Sequence, residues 1–327
     1  MRAIVITKPG GPDVLEEHSR PQPEPGVGQV RVRVRATALN RADLMQRRGV
    51  YPAPPGAPTD IPGLEYAGEI DALGPDTSLW SIGDRVMGIV GGGGHAEYLV
   101  VHEREAILMP ADLSWEEAAG IPEVFLTAYD ALFKQMSVQV GERLLIHAVG
   151  SGVGTAALQL ACNAGITVLG TSRSADKLRK ARELGLDVGL DSSGGDWVAR
   201  ALEATSGAGV NAILDLVGGN YFDGNLRVLA LKGRLIVVGL TAGARAELNM
   251  DVLLRKRAQI VGTVLRSRPL EEKIALAREF SDRVIPLFTQ GRLRPIIDRV
   301  FSFSEIRSAH QLMESNESFG KIVLRWE

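Results

Sequence analysis

The sequence predicts an α/β protein in which a doubly wound parallel sheet is joined to a second, β-rich domain. Between about residues 119 and 264, short apolar segments alternate with segments of helical spacing, the pattern of a buried parallel sheet with helices on both faces. Before about residue 110, short strands are separated by turns rich in glycine and proline, which favours a small barrel or sandwich. A length of 327 residues suits two domains.

Composition and charge exclude several classes of protein. Hydrophobic residues make up 45% of the chain and charged residues 23%, which is typical of a globular protein and not of a disordered one. A net charge of −2 gives no general attraction to nucleic acid or to anionic membrane. No apolar run is long enough to cross a bilayer, and the first residues read as a strand and not as a signal peptide, so we expect a cytoplasmic protein.

The first domain is predicted from alternation and from turn residues. Val30–Ala36 alternates apolar and cationic residues, so we expect a half-exposed strand whose arginines are solvated. Tyr51–Pro58 contains four prolines and must be a stiff loop. The tail returns to this domain with a helix at about 270–289, a strand near 298–303, a helix at 304–315 and a strand at 321–326. The predicted domains are therefore 1–118 with 265–327, and 119–264.

The second domain is predicted from a regular alternation of elements. Its strands are expected at 143–148, 167–170, 187–190, 211–217, 234–239 and 259–263. The helices between them are expected at 155–164, 177–184, 196–205 and 221–231. Because crossovers between parallel strands are right-handed, this order predicts a doubly wound sheet.

A glycine-rich turn follows the first strand of that sheet and opens a helix. It reads Val149-Gly150-Ser151-Gly152-Val153-Gly154, which does not meet the G-x-G-x-x-G spacing and is a weak motif taken alone. Its position between a strand and a helix strengthens it, because small residues let a pyrophosphate approach the helix N-terminus. We expect Ser151, Gly152, Val153 and Gly154 to bind a dinucleotide; the alternative is a tight structural turn.

The end of the second strand indicates which dinucleotide binds. Enzymes that use NAD usually place an acidic residue there, whereas this chain reads Thr171-Ser172-Arg173-Ser174-Ala175-Asp176-Lys177. Hydroxyl groups and cations favour a 2′-phosphate, so Ser172, Arg173 and Lys177 predict a site for NADPH. Asp176 falls in the first turn of the helix and is expected to point away. Ordinary surface charge at a solvated helix start is the alternative.

The motifs together resemble a known family. The chain is similar to the zinc-independent quinone oxidoreductases of the medium-chain dehydrogenase/reductase superfamily, the zeta-crystallin-like group, and most of all to its tumour-suppressor-inducible branch. The matching segments cover nearly the whole chain: Gly10–Pro12, Val14–Leu15, Asn40–Asp43, Arg48–Pro52, Pro62–Gly68, Gly83–Val86, Gly94–Tyr98, Ala119–Thr127, Ile146–Gly154, Gly209–Gly219, Leu265–Arg268 and Gly320–Leu324.

The resemblance implies a fold, a cofactor and a partner. It implies a GroES-like barrel domain that carries the substrate loops and a Rossmann domain that binds NADPH. It also implies a homodimer formed by edge strands near 259–264. Two positions depart from the family pattern: Ser151 stands in place of the first glycine of Ala-x-x-Gly-Gly-Val-Gly, and Ser192 in place of a tyrosine near the 2′-phosphate. Ser172 and Lys177 remain as candidates to bind the 2′-phosphate.

The sequence fits neither the ligand pattern of a zinc enzyme nor the motif of a serine nucleophile. Zinc-dependent relatives bind the metal through a cysteine, a Gly-His-Glu and a second cysteine, whereas this chain has Asn40 at the first place and Leu64 in the second motif. Cys162 is the only cysteine and is expected to be a buried apolar residue. No two histidines have the spacing of a zinc helix, and His147 is expected to form structural hydrogen bonds at a strand end. Ser151 lacks the G-x-S-x-G frame of a hydrolase.

The resemblance also implies which residues act. Tyr51, on the stiff loop, is the leading candidate to meet an oxyanion on the acceptor, although it could simply pack the loop. Asn40 would orient the substrate or the nicotinamide, unless its role is structural. The further cofactor candidates are the helix residue Thr127 and the strand-end residues Val217, Gly218, Gly239, Leu240, Leu265 and Ser267.

Three functions follow from this reading. The first is an NADPH-dependent reductase of quinones, acting without metal by hydride or by stepwise electron transfer. The second is an NADPH-dependent reductase of activated C=C bonds in enones or 2-alkenals. The third is a cofactor-binding structural or RNA-binding protein of the zeta-crystallin type without significant turnover, although the near-neutral charge argues against RNA.

Overall fold

The computed structural model describes residues 1–194 and 196–326, and the chain separates into two compact units. The first unit joins Met1–Leu126 to the segment that starts at Leu265, and the second is Thr127–Val264. The first boundary between the units lies after Leu126, eight residues beyond the expected boundary at 118/119. Phe125 stays in the first unit because its ring packs against that of Phe288, with centroids 4.9 Å apart. Within the described residues, no helix has the length and apolarity needed to cross a membrane.

The first unit is built on a seven-stranded, mostly antiparallel sheet. Its order is β14-β15-β3-β4-β5-β7, with β6 also paired to β3, while β1 and β2 form a separate ribbon. The strands are β1 (Arg2–Ile6), β2 (Leu15–Ser19), β3 (Gln29–Ala38), β4 (Glu65–Leu73), β5 (Arg85–Ile89), β6 (Tyr98–His102), β7 (Ile107–Leu108), β14 (Ile297–Ser302) and β15 (Lys321–Arg325).

The helices of the first unit cover this sheet and hold its ends. They are α1 (Arg41–Arg47), α2 (Trp115–Ala119), the start of α3 (Pro122–Tyr129), α9 (Leu270–Arg283), α10 (Ile285–Thr289) and α11 (Ile306–Ser315). As the alternation predicts, Val30, Val32 and Val34 on β3 enter one buried cluster. On the other face Arg33 is exposed, whereas Arg31 and Arg35 form ion pairs with Asp71 and Glu69. Residues 51–60 form neither helix nor strand, as four prolines in that stretch require.

The second unit is the doubly wound sheet that the sequence predicts. Every strand pair is parallel, and the order is β10-β9-β8-β11-β12-β13. The elements are β8 (Arg143–Ile146), α4 (Gly152–Asn163), β9 (Thr167–Ser172), α5 (Ala175–Glu183), β10 (Val188–Asp191), α6 (Trp197–Ala204), β11 (Val210–Asp215), α7 (Tyr221–Val228), β12 (Leu229–Val237), α8 (Met250–Lys256) and β13 (Gln259–Gly262). The order reverses between β8 and β11, where ligands bind in sheets of this kind.

Two predicted helices have different bounds in the structure. The long helix expected at 270–289 breaks at Val284 into α9 and α10, because Pro286 has no N–H to continue the hydrogen-bond ladder. The helix expected at 221–231 ends at Val228, and β12 begins at Leu229, five residues before the expected strand at 234. The strand gains these residues by pairing Leu229 with Val210 across a shift in register.

Candidate active site

A buried ion pair lies at the start of β4 and β15. The Lys321 ammonium donates to Glu65 Oε1 at 2.8 Å, to Asn40 Oδ1 at 2.7 Å and to the Leu39 carbonyl at 2.8 Å. Lys321 is 3% exposed and Glu65 is fully buried. All three ammonium protons therefore have acceptors, which is the condition under which a buried charge is tolerated.

Asn40 links this ion pair to α1. Its Nδ2 donates to Glu65 Oε1 at 2.8 Å, so both ends of the amide are engaged. Asn40 also caps α1, and its N–H donates to Asp43 Oδ2 at 2.8 Å. The second oxygen of Asp43 accepts from the N–H of Gly63 at 3.0 Å, yet complete burial raises the pKa of this carboxyl. The structure thus places Asn40 within a polar scaffold.

The same arrangement does not suit a catalytic zinc ion. The oxygens of Asn40, Leu39 and Glu65 are occupied by an ammonium group, whereas catalytic zinc prefers thiolate and imidazole ligands. Leu64, at the position of the histidine ligand in zinc-dependent relatives, is a buried apolar residue. Across residues 1–194 and 196–326, no group of three His, Cys, Asp or Glu side chains is placed to hold a metal.

Tyr51 lies under a buried arginine. The Cζ atom of Arg266 is 5.1 Å from the centroid of the Tyr51 ring. Arg266 is 6% exposed, and it is fixed by bonds from Nε to the Gly91 carbonyl at 2.8 Å and from Nη2 to Gln46 Oε1 at 2.5 Å. Its Nη1 has no hydrogen-bond partner among the described residues. The loop tyrosine is therefore held half-buried beside a guanidinium that retains one unused donor.

Glu123 adds a carboxyl group to the same cluster. Its backbone N–H donates to Glu65 Oε2 at 2.8 Å, which fixes the first turn of α3 against the buried ion pair. Burial and the neighbouring Glu65 carboxylate raise the pKa of Glu123 to about 8, against the opposing pull of Lys321 and Arg266. Burial also raises the pKa of the Tyr51 phenol, and Glu123 adds to that increase. The first unit therefore gathers a phenol, a guanidinium and a carboxyl group that interact electrostatically.

The glycine turn in the second unit has the shape that a phosphate cradle needs. Ser151 caps α4, its Oγ accepting from the N–H of Gly154 at 3.1 Å. A Cβ atom on Gly154 would lie 2.5 Å from the Ala148 carbonyl oxygen, so only glycine permits this packing. The turn begins with Ala148 in the left-handed region, at φ 49°. The N-terminal N–H groups of α4, including those of Gly152 and Val153, are therefore presented at the carboxyl edge of the sheet.

The end of β9 carries the predicted phosphate-reading side chains. Ser172 is the last residue of β9, and Arg173 is exposed immediately after it. Lys177 is half-buried in the first turn of α5. Asp176 is bound to Arg179 at 2.7 Å and to Lys180 at 3.0 Å, so this acid is engaged along the helix. Asp191, which pairs with Ser172 from the end of β10, accepts from the N–H of Ser193 at 2.8 Å. The structure brings two cations and a hydroxyl group to one strand end, which fits a 2′-phosphate.

A chain of buried hydrogen bonds that ends on the Asp215 carboxylate runs along the same edge. His147 contacts Thr171 Oγ1 at 2.9 Å and Asn225 Oδ1 at 2.6 Å, as a structural histidine at a strand end should. Asn225 donates to Asp215 Oδ2 at 2.9 Å. The other Asp215 oxygen accepts from the N–H groups of Val217 and Gly218, both at 2.8 Å. The chain therefore fixes the turn after β11.

The remaining predicted cofactor residues fall in two places. Val217 and Gly218 follow β11, and Gly239 and Leu240 follow β12, so these four lie at the carboxyl edge of the sheet. A Cβ atom on Gly239 would lie 2.5 Å from the Leu216 carbonyl oxygen. Thr127 is a buried residue of the second unit, whereas Leu265, buried, and Ser267, exposed, belong to the first.

Sequence reasoning missed four residues of the site. Glu65 and Lys321 lie in segments that carry the family resemblance, but no short-range pattern pairs residues 256 positions apart. Arg266 and Glu123 stand beside predicted residues, and each reads alone as an ordinary surface charge. A charged residue inside an apolar segment, such as Lys321 before Ile322-Val323-Leu324, is the signal that could have found the pair.

Comparison with known proteins supports this reading. The protein-family model described as "Alcohol dehydrogenase GroES-like domain" matches residues 26–111. The protein-family model described as "Zinc-binding dehydrogenase" matches residues 152–282. A quinone oxidoreductase of Pseudomonas aeruginosa is 33% identical over 320 residues, covering 96% of each chain. A mouse protein named synaptic vesicle membrane protein VAT-1 homolog is 33% identical, covering 99% of this chain and 83% of its own.

Solved structures share the whole architecture. The quinone oxidoreductase of Pseudomonas syringae has a TM-score of 0.89 at 28% identity, covering 99% of each chain. The CurK enoyl reductase has a TM-score of 0.88 at 28% identity, with 100% of this chain and 99% of its own covered. A mycobacterial protein solved with NADPH has a TM-score of 0.87 at 29% identity, with 99% and 100% covered. With a GroES-like domain, a Rossmann-like sheet and a full-length relative at 33% identity, this chain belongs to the medium-chain dehydrogenase/reductase superfamily, a family of oxidoreductases that bind a nicotinamide cofactor.

Proposed function

We propose that the protein is an NADPH-dependent reductase of quinones that acts without a metal, and that it belongs to the zeta-crystallin-like branch. The observation that carries this proposal is the half-buried Tyr51 phenol beside the Arg266 guanidinium, whose Nη1 is unpartnered. Two such donors can stabilise negative charge on an acceptor oxygen where no metal is held. The quinone oxidoreductase names among the relatives support this choice of acceptor.

NADPH is the proposed cofactor, and when bound it supplies a hydride to an electron-poor acceptor. On this chain, the N-terminus of α4 would hold the pyrophosphate through Ser151, Gly152, Val153 and Gly154. Ser172, Arg173 and Lys177 would hold the 2′-phosphate, and the absence of an acid at the end of β9 favours NADPH over NADH. The structural neighbour solved with NADPH supports the same assignment. Thr127, Val217, Gly218, Gly239, Leu240, Leu265 and Ser267 are proposed to contact the remainder of the cofactor.

The acceptor would bind against the Tyr51 ring. The loop is stiffened by prolines, so little conformational entropy is left to lose when a flat ring stacks on the phenol. The hydroxyl group of Tyr51 and Nη1 of Arg266 would then donate to the carbonyl oxygen that becomes negative. Asn40 is proposed as a positioning residue, since its amide holds the Glu65–Lys321 pair.

A second candidate function is the reduction of activated C=C bonds. The enoyl reductase neighbour at a TM-score of 0.88 favours it, and the same donors would stabilise an enolate oxygen. A structural or RNA-binding role without turnover is less well supported, because a net charge of −2 gives no general attraction to RNA. The cytoplasmic location expected from the sequence stays a prediction.

We also propose a homodimer through the edge of the second unit. Within the described chain, β13 pairs with β12 on one side only and presents its other edge. Met250 and Leu254 on the preceding helix are 66% and 75% exposed, and Val264 is 47% exposed. An open strand edge flanked by apolar side chains is suited to pairing with a second copy of the chain. Light scattering should then give a mass near twice 35.1 kDa.

An acceptor panel tests the proposed function. Purified protein saturated with NADPH is supplied with o-quinones, p-quinones and enones, and NADPH oxidation is followed with product analysis. The proposal predicts that quinones give the highest kcat/KM and that NADH is a poorer donor. Preference for enones would move the assignment to the second candidate. Tight binding of NADPH with no turnover of any acceptor would contradict both.

A further inference from the structure

The geometry points to Glu123 as the proton donor of the acceptor site, the group that supplies the proton that must accompany the hydride. This inference rests on the proposed reductase function and deepens it. A hydride alone converts a quinone to an anion, so the acceptor oxygen needs a proton before a neutral hydroquinone can leave. Tyr51 and Arg266 can stabilise that oxygen, but neither is suited to give up a proton at neutral pH, because the pKa of the Tyr51 phenol is raised.

The placement of Glu123 suits such a role. It lies in the first turn of α3, tied to the site by its backbone N–H and not by its side chain. The carboxyl group has no hydrogen bond within the described part of the chain, so no internal partner holds its proton. The residue as a whole is half-buried, unlike the completely buried Glu65 and Asp43, so it lies nearer to solvent than either of them.

The surroundings keep this carboxyl group neutral. The charged and titratable groups facing it are Glu65 on β4, Asp43 on α1, Lys321 on β15, Arg266 after β13 and the Tyr51 phenol on its loop. Burial, the Glu65 carboxylate and, to a smaller extent, Asp43 disfavour a negative charge on Glu123, and the Lys321 ammonium that opposes them is itself paired with Glu65. An acid at a helix N-terminus ordinarily has a lowered pKa. Here burial and Glu65 outweigh that effect, and the pKa of Glu123 is about 8.

The proposed step balances in atoms and electrons. When bound, NADPH would supply a hydride, and the quinone would be reduced by two electrons to the hydroquinone monoanion, with NADP⁺ as the oxidised product. The O–H bond of the Glu123 carboxylic acid then breaks, and a new O–H bond forms on the acceptor oxygen. The Glu123 carboxylate that remains takes a proton from water before the next turnover. For an enone, the same proton would convert the enolate to the saturated ketone.

A neutral Glu123 also affects the stability of the fold, independently of activity. The folded-state pKa of about 8 lies above the ordinary value of 4.5, so between these values the folded protein binds more protons than the unfolded chain. The stabilising contribution of the neutral acid is complete below pH 4.5 and is lost as the pH rises through 8. Glu123→Gln keeps the neutral shape at every pH, so the variant should melt at a higher temperature than wild type above pH 8.

The experiment compares wild type, Glu123→Gln and the matched control Glu116→Gln. Glu116 lies seven residues earlier and pairs with Arg325 at 3.0 Å, and that partner contributes to a lowered pKa of its carboxyl group. For each protein, kcat/KM for a quinone is measured from pH 6 to 10, together with the affinity for NADPH and the melting temperature at pH 6 and pH 9. Wild type should lose activity as the pH rises through about 8. Glu123→Gln should be at least tenfold slower at pH 7, flat across that range, unchanged in NADPH affinity and relatively more stable at pH 9.

Each other outcome overturns the inference. If Glu123→Gln turns over within twofold of wild type at pH 7, another group supplies the proton. If it is slow but retains the wild-type pH profile, Glu123 is structural. If it melts lower than wild type at both pH values, the neutral-acid assignment is wrong. Wild-type protein that turns over no acceptor at any pH would instead remove the proposed function itself, which separates the two failures.

Discussion

The two units solve the problem of buried polarity in different ways. In the first, formal charges are buried together: Lys321 with Glu65, and Arg266 beside Tyr51. In the second, the chain from Thr171 through His147 and Asn225 ends on the buried Asp215 carboxylate, which is held by N–H donors. Burial lowers the pKa of His147, which favours the neutral ring. Charge is costly to bury, and in the first unit the Lys321 ammonium offsets this cost through three acceptors. In the second unit, N–H donors around the Asp215 carboxylate hold a backbone turn in place.

The largest effect should come from breaking the charged pair of the first unit. Lys321→Met leaves the Glu65 carboxylate buried without its cation, and we expect a loss of about 3–5 kcal/mol in the free energy of unfolding. The matched control is Arg325→Met on the same strand, which removes an exposed pair with Glu116 and should cost less than about 1 kcal/mol. Urea titration measures both. Equal losses in the free energy of unfolding for the two variants would show that burial does not determine how much an ion pair contributes to stability.

The second unit should respond in binding and not in stability. Lys177→Ala removes one cation from the proposed 2′-phosphate site, and a charged hydrogen bond is worth about 1.5–3 kcal/mol. NADPH affinity should fall about tenfold to a hundredfold, with NADH affinity nearly unchanged. Lys180→Ala, three residues on in the same helix, is the control and should leave both affinities unchanged. Fluorescence titration gives the four constants, and an equal loss for NADPH and NADH would remove Lys177 from the phosphate site.

Tyr51 should affect the acceptor without affecting the cofactor. Tyr51→Phe keeps the ring and removes the hydroxyl group, so kcat/KM for a quinone should fall about tenfold, or about 1.4 kcal/mol. Tyr51→Ala should cost more, because it also removes the apolar face. Tyr98→Phe is the control, since that ring also lies near an arginine, 5.7 Å from Arg31 Cζ. If Tyr51→Phe leaves kcat/KM unchanged and Tyr51→Ala lowers it, Tyr51 contributes only its ring as a stacking surface. If neither variant changes kcat/KM, Tyr51 packs the loop.

The smallest expected effect is that of a chelator. Prolonged treatment with a strong zinc chelator should leave kcat/KM and the melting temperature unchanged. The reason is that Asn40 Oδ1 and the Leu39 carbonyl oxygen already accept hydrogen bonds from the Lys321 ammonium. Elemental analysis before and after treatment is the measurement. Stoichiometric zinc whose removal abolishes activity would end the metal-free account.

The second unit was the more predictable of the two from sequence. Its strands are continuous apolar runs and its helices start at capping residues such as Ser151 and Ser174, so local patterns place them within a few residues. The glycine turn is also local, which is why its residues fall where they are expected. In this unit the bound that failed, at Val228, depends on a register shift. The failed bound at Val284, in the first unit, depends on a proline inside an otherwise helical pattern.

The first unit resisted prediction because its site is assembled from distant segments. Arg266 bonds Gln46, 220 positions away, and Lys321 bonds Glu65 across 256. No periodicity links such residues, and a lone arginine or lysine reads as solvated until its burial is known. The sequence identified Asn40 and Tyr51 only through the family resemblance, and it left out the charges that give them their surroundings.

The separation of cofactor and acceptor roles between the two units is the central claim, and the double variant Lys177→Ala/Tyr51→Phe tests it most directly. NADPH affinity and acceptor kcat/KM at saturating NADPH are measured for wild type, both single variants and the double. We predict that the double variant matches Lys177→Ala in NADPH affinity and Tyr51→Phe in kcat/KM, because the two changes act on different ligands. Loss of NADPH affinity in Tyr51→Phe, or loss of kcat/KM at saturating NADPH in Lys177→Ala, would contradict the account.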